Sequence, residues 1–529
     1  MNELIAYDDP VGPFGNPDGS RAPLDELLDT FVDFRGDRAF GGLATRPSDA
    51  MVRVIVGRMG AGKTVYLRRL QSYQHAQDSV FAGQIQQSVP STEVIVKACQ
   101  WFPTTYLTQK WMQLWRCAIL RSLATHLLAD PQLWNYLDED QDRTLRRRFL
   151  DLLQDVMRPR TIYSELRSIV SRCNSGYELT RYMDDRRWDD LEDVLAHVIA
   201  EVPPIFFYID AIDEEFSSAP MYWLQCQKGL FFEVMRLLRD ARLGGRLHIV
   251  TCIRDIVLSA IYRDEHGPRY YGEPHIRVLS WGRESIGILL KEKLGQLHPG
   301  FFFDLGDEGR NVGSWLGMSI VRNERRGVDE DVTDYLLRHT RLIPRDVVSL
   351  GNALCQEILH QKSLGRSELP PNALRSVISK SARRFGNAQL AQCGNQITAD
   401  MMPGNAAVHR YSDAYTSNQE YARSLGQQLR EIIGMVGVDR FGYKELMTLR
   451  EAGNEVFDGH TDVPAVLWQN GLLGYTEGDD VDRFYSLHDI DDFEIPEDVE
   501  EYVLHPCMID SVRSLRSVGS RPVHPYVRE

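Results

Sequence analysis

The sequence lacks a long apolar run, because the most apolar one, Pro203–Ile209, is far shorter than the ~20 residues that cross a bilayer. We therefore expect no membrane span. The start, MNELIAYDDP, has no basic stretch followed by an apolar one, so we expect no secretory signal and a cytoplasmic protein. The eight cysteines are scattered without a C-x-x-C pair, which excludes the spacings of a zinc site or a disulfide scaffold. Histidines at metal spacing and the hydrolase motifs G-x-S-x-G and H-E-x-x-H are also absent.

Positive charge is scarce as well. The 529 residues include 60 Lys and Arg against 75 Asp and Glu, a net charge of -15, which argues against a protein whose whole surface coats nucleic acid. The deficit is uneven, because residues 421–529 hold ten basic and 21 acidic residues, a net charge of -11. Three basic segments, Arg143–Arg148, Arg322–Arg326 and Arg375–Arg384, are either local nucleic-acid surfaces or solvated helix faces.

The spacing of apolar residues predicts an α/β fold. Continuous apolar runs predict four strands, at Val52–Val56, Glu93–Lys97, Ile205–Ile209 and Leu247–Ile253. A helix is predicted at Thr64–Ser72, and apolar strands separated by helices indicate a parallel sheet covered on both faces. Residues 104–201 are predicted to form a helical insertion, since structureless loops of that length are rare. From Ile253 to about Gln361 the chain is expected to be helical.

The length suggests about three to four domains. We expect residues 1–50 to form a lead-in, with an amphipathic stretch at Pro23–Phe34, that packs against the first core strand. Residues 51–280 are expected to form the core, 281–400 a helical lid with a basic helical segment, and 418–529 an acidic domain. The best linker candidate is Met402–Ala407, within the Asn-, Gly- and Ala-rich residues 386–417.

The final domain has the element order of a winged helix. Three helices are predicted, at Tyr421–Met435, Tyr443–Ala452 and Asp462–Gln469, followed by a hairpin of Gly471–Tyr475 and Arg483–His488. A winged helix suggests DNA binding, but phosphate binding needs a positive field and this domain is acidic. We therefore expect it to contact protein.

Residues Gly57–Thr64, with the sequence GRMGAGKT, fit the phosphate-binding pattern G-x-x-x-x-G-K-[ST] between a predicted strand and a predicted helix. Glycines let backbone N–H groups turn toward phosphate oxygens, and the positive end of the following helix adds to the attraction. Lys63 is expected to reach the β- and γ-phosphates, and the Thr64 hydroxyl to bind Mg²⁺. The predicted nucleotide-binding residues are Gly57, Gly60, Ala61, Gly62, Lys63, Thr64 and Val65.

A second motif is the apolar strand and acidic turn IFFYIDAIDE, residues Ile205–Glu214. Asp210 ends the strand, where its carboxylate is expected beside the phosphate-binding turn and holds Mg²⁺ through water. Asp213 or Glu214 is expected to orient the attacking water, since a general base must lie within hydrogen-bond reach. With Lys63, these carboxylates make up most of the predicted catalytic set.

With these motifs the chain resembles the ASCE class of P-loop NTPases, and within it the STAND and AAA+ ATPases. GRMGAGKT, IFFYIDAIDE, LHIVTCIRD and HTRLIPRDVVSLGNAL carry the resemblance over about residues 50–360. It implies a parallel-sheet ATPase core with a helical lid, and ATP and Mg²⁺ as cofactors. It also implies that Thr251 and the catalytic Arg254 sense the γ-phosphate, and that Pro344 and Arg345 of the lid contact the nucleotide. Arg254 is either this sensor or a structural partner of Asp255 or Glu214.

The chain departs from the AAA+ pattern at Ala211, where those proteins have Glu directly after the Mg²⁺ Asp. The acidic pair comes later, as in STAND proteins, which indicates slow rather than motor-like turnover. The helical insertion is either a recognition or oligomerisation surface or added packing bulk. Arg263 and Arg269 are either arginine fingers toward a neighbouring subunit or solvated loop residues.

The resemblance implies an ATP-binding, slowly hydrolysing molecular switch that forms a homo-oligomer or controls a partner effector protein. Bacterial ATPases of this layout serve in antiphage defence or regulation, with the winged helix as a clamp on the nucleotide domain. One alternative is a DNA-associated ATPase of the origin-recognition or transposition-helper type, which binds nucleic acid through the ATPase half. Another is a structural scaffold with a degenerate nucleotide site.

Overall fold

The computed structural model describes residues 12–22, 24, 52–77, 79–86, 92–103, 106–153, 158–210, 220–243, 245–264, 267–305, 309–401, 411–459, 461–478, 481–485, 487 and 494–527. A sheet of five parallel strands has the order β2-β3-β4-β1-β5. The strands are β1 (Val54–Val56), β2 (Phe81–Gln86), β3 (Ile205–Ile209), β4 (Leu247–Ile253) and β5 (Ile276–Val278).

Burial explains why the apolar runs form strands. Every residue of β1 and β3 is buried, and in β4 only His248 is partly exposed. Such strands need cover on both faces, which helices provide in α/β proteins. The predicted α/β fold with a parallel sheet is confirmed, as are the strands β1, β3 and β4.

The predicted strand at Glu93–Lys97 is wrong. The phosphate-binding turn is followed by α1 (Lys63–His75), and Glu93–Lys97 lies in α2 (Thr92–Trp101). Val94, Ile95 and Val96 are all buried, and a short run that is apolar throughout does not distinguish a buried helix from a strand. The second strand is instead β2, a less apolar segment at the edge of the sheet.

The described part of the insertion is largely helical. Its helices are α3 (Leu107–Ala129), α4 (Glu139–Arg148), α5 (Leu150–Leu153), α6 (Ile162–Arg172), α7 (Gly176–Met183) and α8 (Arg187–Ala200). Asp138, Thr161 and Ser175 each accept a hydrogen bond from a backbone N–H in the first turn of the helix that follows, which explains where α4, α6 and α7 begin. The long helix α3 is the centre of this layer and contacts α6 and α9 (Pro220–Arg239).

The segment after β4 is less uniformly helical than expected. Its helices are α10 (Asp255–Tyr262), α11 (Arg283–Gln296), α12 (Val312–Leu316), α13 (Val332–Arg338), α14 (Pro344–Ser363) and α15 (Pro371–Met401). The structure adds β5 and an antiparallel hairpin of β6 (Ile320–Asn323) and β7 (Val328–Asp331). The hairpin strands are polar, with alternate residues exposed, so they carry no continuous apolar signal.

The C-terminal module consists of α16 (Tyr411–Val436), α17 (Tyr443–Val456), α18 (Val463–Gln469) and α19 (Pro506–Ser511) with a four-stranded antiparallel sheet. The sheet order is β10-β9-β11-β8. Its strands are β8 (Arg440–Phe441), β9 (Leu473–Glu477), β10 (Val481–Phe484) and β11 (Tyr502–Leu504). The three predicted helices and the hairpin are present, and β8, β11 and α19 were not foreseen.

The linker candidate Met402–Ala407 lies outside the described residues, as does Pro23–Phe34 except for Leu24. Residues 386–401 belong to α15 and include Leu390 and Cys393, which are fully buried. Their polar composition therefore reflects a helix with one buried face.

All eight cysteines are buried and unbridged. Among the described helices, none combines the length and apolarity that a bilayer crossing requires.

Candidate nucleotide-binding site

The glycine-rich turn joins β1 to α1 and needs its glycines. Gly60 and Gly62 have φ angles of 91° and 93°, in the left-handed region that side chains disfavour. A Cβ atom at Gly60 would lie 2.8 Å from Cβ of Arg345. Helix α1 begins at Lys63, and no described side chain caps its N-terminus. A helix start of this kind is a common place for an anion to bind.

Lys63 folds over this turn. Its ammonium donates to the carbonyl oxygens of Gly57 (2.9 Å) and Arg58 (3.2 Å), and the side chain is mostly buried. The indole N–H of Trp281 donates to the carbonyl oxygen of Ala61 (2.9 Å), which fixes the other side of the turn. The predicted residues Thr64 and Val65 follow in the first turn of α1, both half-buried.

Asp210 follows β3 directly and is 2% exposed. Its backbone N–H donates to the carbonyl oxygen of Gln86 (3.2 Å) at the end of β2. Its carbonyl oxygen accepts a hydrogen bond from the hydroxyl of Tyr163 (2.9 Å), which belongs to the insertion. The predicted water-orienting residues Asp213 and Glu214 lie outside the described residues.

Thr251 lies in β4, between the two strands that lead to these motifs. Its Cα partners are Val54 in β1 and Ile209, the last residue of β3. The Thr251 hydroxyl oxygen is buried and has no hydrogen-bond partner among the described residues. Burying a hydroxyl without a hydrogen-bond partner costs free energy. This position therefore suits a ligand or water that hydrogen-bonds near the carboxyl end of β3.

Arg254 occupies the N-cap position of α10, and its side chain makes a hydrogen bond to α15. Its guanidinium donates to Oε1 of Gln392 (2.8 Å), and the residue is 5% exposed. The amide of the same Gln392 lies 3.5 Å from the sulfur of Met59, in the phosphate-binding turn. Arg254 and the turn are therefore joined to one helix through one glutamine.

The start of the lid helix α14 contacts the turn directly. Pro344 is its first residue, and the backbone N–H of Arg345 donates to the carbonyl oxygen of Gly60 (3.3 Å). The Arg345 guanidinium donates to the carbonyl oxygen of Pro17 (3.1 Å) in the N-terminal lead-in. The structure thus brings the two predicted lid residues to the turn.

The lead-in takes part in this site, which the sequence did not indicate. Its described residues contact α1 and α14, whereas the expectation placed it on the first strand. Arg68 of α1 donates to the carbonyl oxygens of Gly19 (2.7 Å) and Ala22 (2.6 Å). The Asn352 side chain of α14 accepts from the N–H of Phe14 (2.7 Å). Phe14, an isolated aromatic in a Pro- and Gly-rich segment, is the signal that could have shown this.

The C-terminal module also reaches the turn. The Arg58 guanidinium donates to the carbonyl oxygen of Tyr485 (3.1 Å) and lies 3.5 Å from the carboxylate of Asp255. Gly471 lies so close to Arg58 that a Cβ atom there would be 2.5 Å from Nη1. Sequence reasoning treated Arg58 as a variable position of the motif and missed this contact.

Two of the basic segments contact other parts of the same chain. Arg325 forms an ion pair with Asp510 of the C-terminal module (2.7 Å), and Arg326 pairs with Asp439. Arg383 of α15 donates to the carbonyl oxygen of Asp510 (3.0 Å). These arginines face the acidic module, so its negative charge has an intramolecular counterpart.

The third basic segment is an exposed helix face with local partners. Arg143, Arg146 and Arg148 pair with Asp140, Asp142 and Asp190, at 2.8 Å in each case. The two arginines considered as fingers, Arg263 and Arg269, are both exposed, and Arg269 donates to the hydroxyl of Tyr270 (2.6 Å).

His505 and Cys507 form a buried turn at the start of α19. The His505 ring nitrogen accepts from the backbone N–H of Cys507 (3.2 Å). Burial, with help from the charges of nearby arginines, lowers the pKa of His505 to about 3, and burial raises the pKa of the Cys507 thiol. A neutral imidazole beside a protonated thiol is inert, as expected of a core turn.

The residues at the turn fit a nucleotide with a divalent cation. The described residues contain no cluster of three or more His, Cys, Asp or Glu that could hold a metal by itself. Mg²⁺ is commonly held by one or two protein oxygens together with substrate phosphates, and the sequence predicts Thr64 and Asp210 for that role. Comparison of the chain with protein-family models, curated proteins and solved structures finds no match in any of the three.

Proposed function

We propose that this protein is an ATP-binding molecular switch built on a P-loop NTPase core, with a winged-helix-like C-terminal module. The observation that carries the proposal is that two residues of one phosphate-binding turn contact two different parts of the protein, the lid and the C-terminal module. Gly60 binds Arg345 of the lid, and Arg58 binds Tyr485 of the module. A ligand that changes this turn acts on both parts at once.

The turn and its surroundings suit ATP. Lys63 and the first N–H groups of α1 would hold the β- and γ-phosphates. Thr64 and Asp210 would hold Mg²⁺, which supplies neutralising charge to the phosphates. The strand order is compatible with this class of core, since β4 lies between β1, which leads into the turn, and β3, which Asp210 follows. The Thr251 hydroxyl, which has no hydrogen-bond partner in the part of the chain that the structure describes, lies beside the end of β3.

A bound phosphate would compete with two backbone carbonyls for the Lys63 ammonium, and this competition links the ligand to the C-terminal module. Lys63 donates to the carbonyl oxygens of Gly57 and Arg58, and a phosphate oxygen is the stronger acceptor because it is charged. Exchange of these bonds removes the Lys63 hydrogen bond from the carbonyl of Arg58, which keeps the one from the N–H of Ala61 (3.1 Å), and so loosens this peptide. The same residue holds Tyr485 through its side chain. Phosphate binding therefore acts on the contact with the C-terminal module.

Hydrolysis resets the switch in this proposal and is slow, because the residue after Asp210 is Ala211 and not a carboxylate. The output is self-association or the control of a partner protein. Release of the C-terminal module would uncover an acidic surface, since residues 421–529 carry a net charge of -11. That surface suits a protein partner and disfavours nucleic acid.

ATP binding and turnover, measured with and without duplex DNA, test the proposal against its rivals. We expect slow turnover that DNA does not stimulate, and loss of ATP binding in Lys63→Ala. Lys362→Ala is the matched control, because Lys362 also donates to backbone carbonyls, those of Gly300 and Phe302. Strong stimulation by DNA would favour a DNA-associated ATPase, and absence of ATP binding by the wild type would favour a scaffold.

A further inference from the structure

The insertion reaches the acidic end of β3 through one side chain. Tyr163 is the second residue of α6, and its hydroxyl donates to the carbonyl oxygen of Asp210 (2.9 Å). The N–H of Tyr163 donates to Oε1 of Gln86 (3.2 Å), and the carbonyl oxygen of Gln86 accepts from the N–H of Asp210 (3.2 Å). Both backbone polar groups of Asp210 are thus held, the N–H by β2 and the carbonyl by the insertion.

Tyr163 is itself held in place. The residue is 2% exposed, and its ring lies 6.0 Å from that of Trp115 in α3, with the planes tilted by 58°. The indole N–H of Trp115 donates to the carbonyl oxygen of Cys226 in α9 (2.9 Å). The buried ring packs on Trp115, which is itself anchored to α9, and the hydroxyl is placed where it donates to Asp210. A buried tyrosine hydroxyl usually has such a fixed partner.

We propose that Tyr163 is a positioning residue for the Asp210 carboxylate, so that the helical insertion sets the geometry of the cation site. The inference rests on the proposed function, because it assumes that Asp210 holds Mg²⁺. β3 ends at Ile209, and Tyr163 holds the carbonyl group of the next residue, Asp210. Loss of the hydroxyl would leave a buried carbonyl without this donor, and the backbone would shift to find another.

Cation affinity separates this role from simple packing. Tyr163→Phe keeps the ring and removes only the hydroxyl. With a non-hydrolysable ATP analogue bound, we expect the half-saturating Mn²⁺ concentration, measured by electron paramagnetic resonance, to rise roughly fivefold to tenfold. Turnover should fall roughly tenfold, since small misplacements of reacting groups are costly, while the affinity for the analogue alone changes less than about twofold.

Tyr502→Phe is the matched control, because the Tyr502 hydroxyl also donates to a backbone carbonyl, that of Pro496 (2.8 Å), within the C-terminal module. It should leave Mn²⁺ affinity unchanged. If Tyr163→Phe does not fold, Gln86→Met removes the anchor of the Tyr163 N–H and should raise the half-saturating Mn²⁺ concentration in the same direction.

Wild-type Mn²⁺ affinity in Tyr163→Phe, or in Gln86→Met if that variant must be used, would overturn the positioning role. Failure of the wild-type protein to bind ATP would instead overturn the proposed function, so the two failures are distinguishable.

Discussion

Arg58, in the glycine-rich turn of residues Gly57–Thr64, donates a hydrogen bond to the carbonyl oxygen of Tyr485, which comes 427 residues later in the chain (3.1 Å). Gly471 permits this approach, because its lack of a side chain leaves room for the guanidinium. The contact joins the element that would bind phosphate to the edge of the C-terminal module. It is the most direct route by which a ligand could change the position of the module.

Removal of the Arg58 side chain should loosen the module locally. We expect Arg58→Ala to cost about 1 kcal/mol at this contact and to speed hydrogen exchange of the β9–β10 amides roughly fivefold. Arg143→Ala, which removes one member of an exposed pair with Asp140, is the control and should leave those amides unchanged. Unaltered exchange in Arg58→Ala would show that the contact does not hold the module.

The C-terminal module also contacts the β6–β7 hairpin and α15, and Asp510 accepts hydrogen bonds from both. Its side chain is almost fully buried and accepts from Arg325 (2.7 Å) and Ser379 (2.6 Å). Asp510→Asn should lower the free energy of unfolding by about 1–2 kcal/mol in urea titrations. Asp329→Asn disrupts an exposed pair with Arg322 and should cost less than about 0.5 kcal/mol. Equal effects of the two changes would contradict the importance of the buried contact.

His248 should make the protein less stable in mild acid. Burial, together with the positive charge of Arg53, lowers the pKa of His248 to about 3. Between pH 6.5 and 3 the unfolded chain therefore binds a proton that the folded chain does not, so stability falls as the pH falls through this window.

Urea unfolding at pH 7 and pH 5 checks this expectation. The His248 contribution should reach up to about 2 kcal/mol between pH 6.5 and pH 5, and His248→Gln should reduce the stability lost in acid. His197→Gln, at an exposed position, controls for the loss of an imidazole. A His248→Gln variant with the full acid sensitivity of the wild type would contradict the assignment.

The insertion contains an ion pair that is wholly buried, between Arg121 and Glu165 (2.7 Å). Removal of Arg121 leaves the buried Glu165 with the longer ion pair to Arg160 (3.7 Å), so Arg121→Met should cost about 3 kcal/mol. The double variant Arg121→Met/Glu165→Leu should recover most of this loss, since an apolar pair of similar volume is often neutral or stabilising. Thermal or urea unfolding measures both, and no recovery in the double variant would contradict this reading.

The sequence predicted the parts of the fold in which local pattern and burial agree. The runs at β3 and β4 are apolar because helices cover both faces of the sheet. The Gly57–Thr64 turn could be predicted because its backbone needs positive φ angles, which glycine adopts readily. Gly60 and Gly62 have such angles. The edge strand β2 was missed, since its sequence FAGQIQ is only partly buried.

The contacts that join the parts could not be read from the sequence. Arg58 with Tyr485 and Tyr163 with Asp210 are single hydrogen bonds between residues far apart in the chain. Neither residue type is unusual at its position, and no periodicity marks it. Such pairs depend on how whole layers pack, which local pattern does not specify. The contact of Phe14 with α14 differs, because an isolated aromatic in a Pro- and Gly-rich segment is a signal in the sequence.

The position of the C-terminal module with ATP and with ADP tests the central claim most directly. Because all eight cysteines are buried, fluorophores can be placed selectively on Tyr177→Cys in the insertion and Met435→Cys in α16, at positions 76% and 60% exposed. We predict different single-molecule energy-transfer distributions in ATP·Mg²⁺ and in ADP, and no difference when Lys63→Ala is added. Identical distributions for the nucleotide-bound wild type in both conditions would contradict a nucleotide-controlled switch.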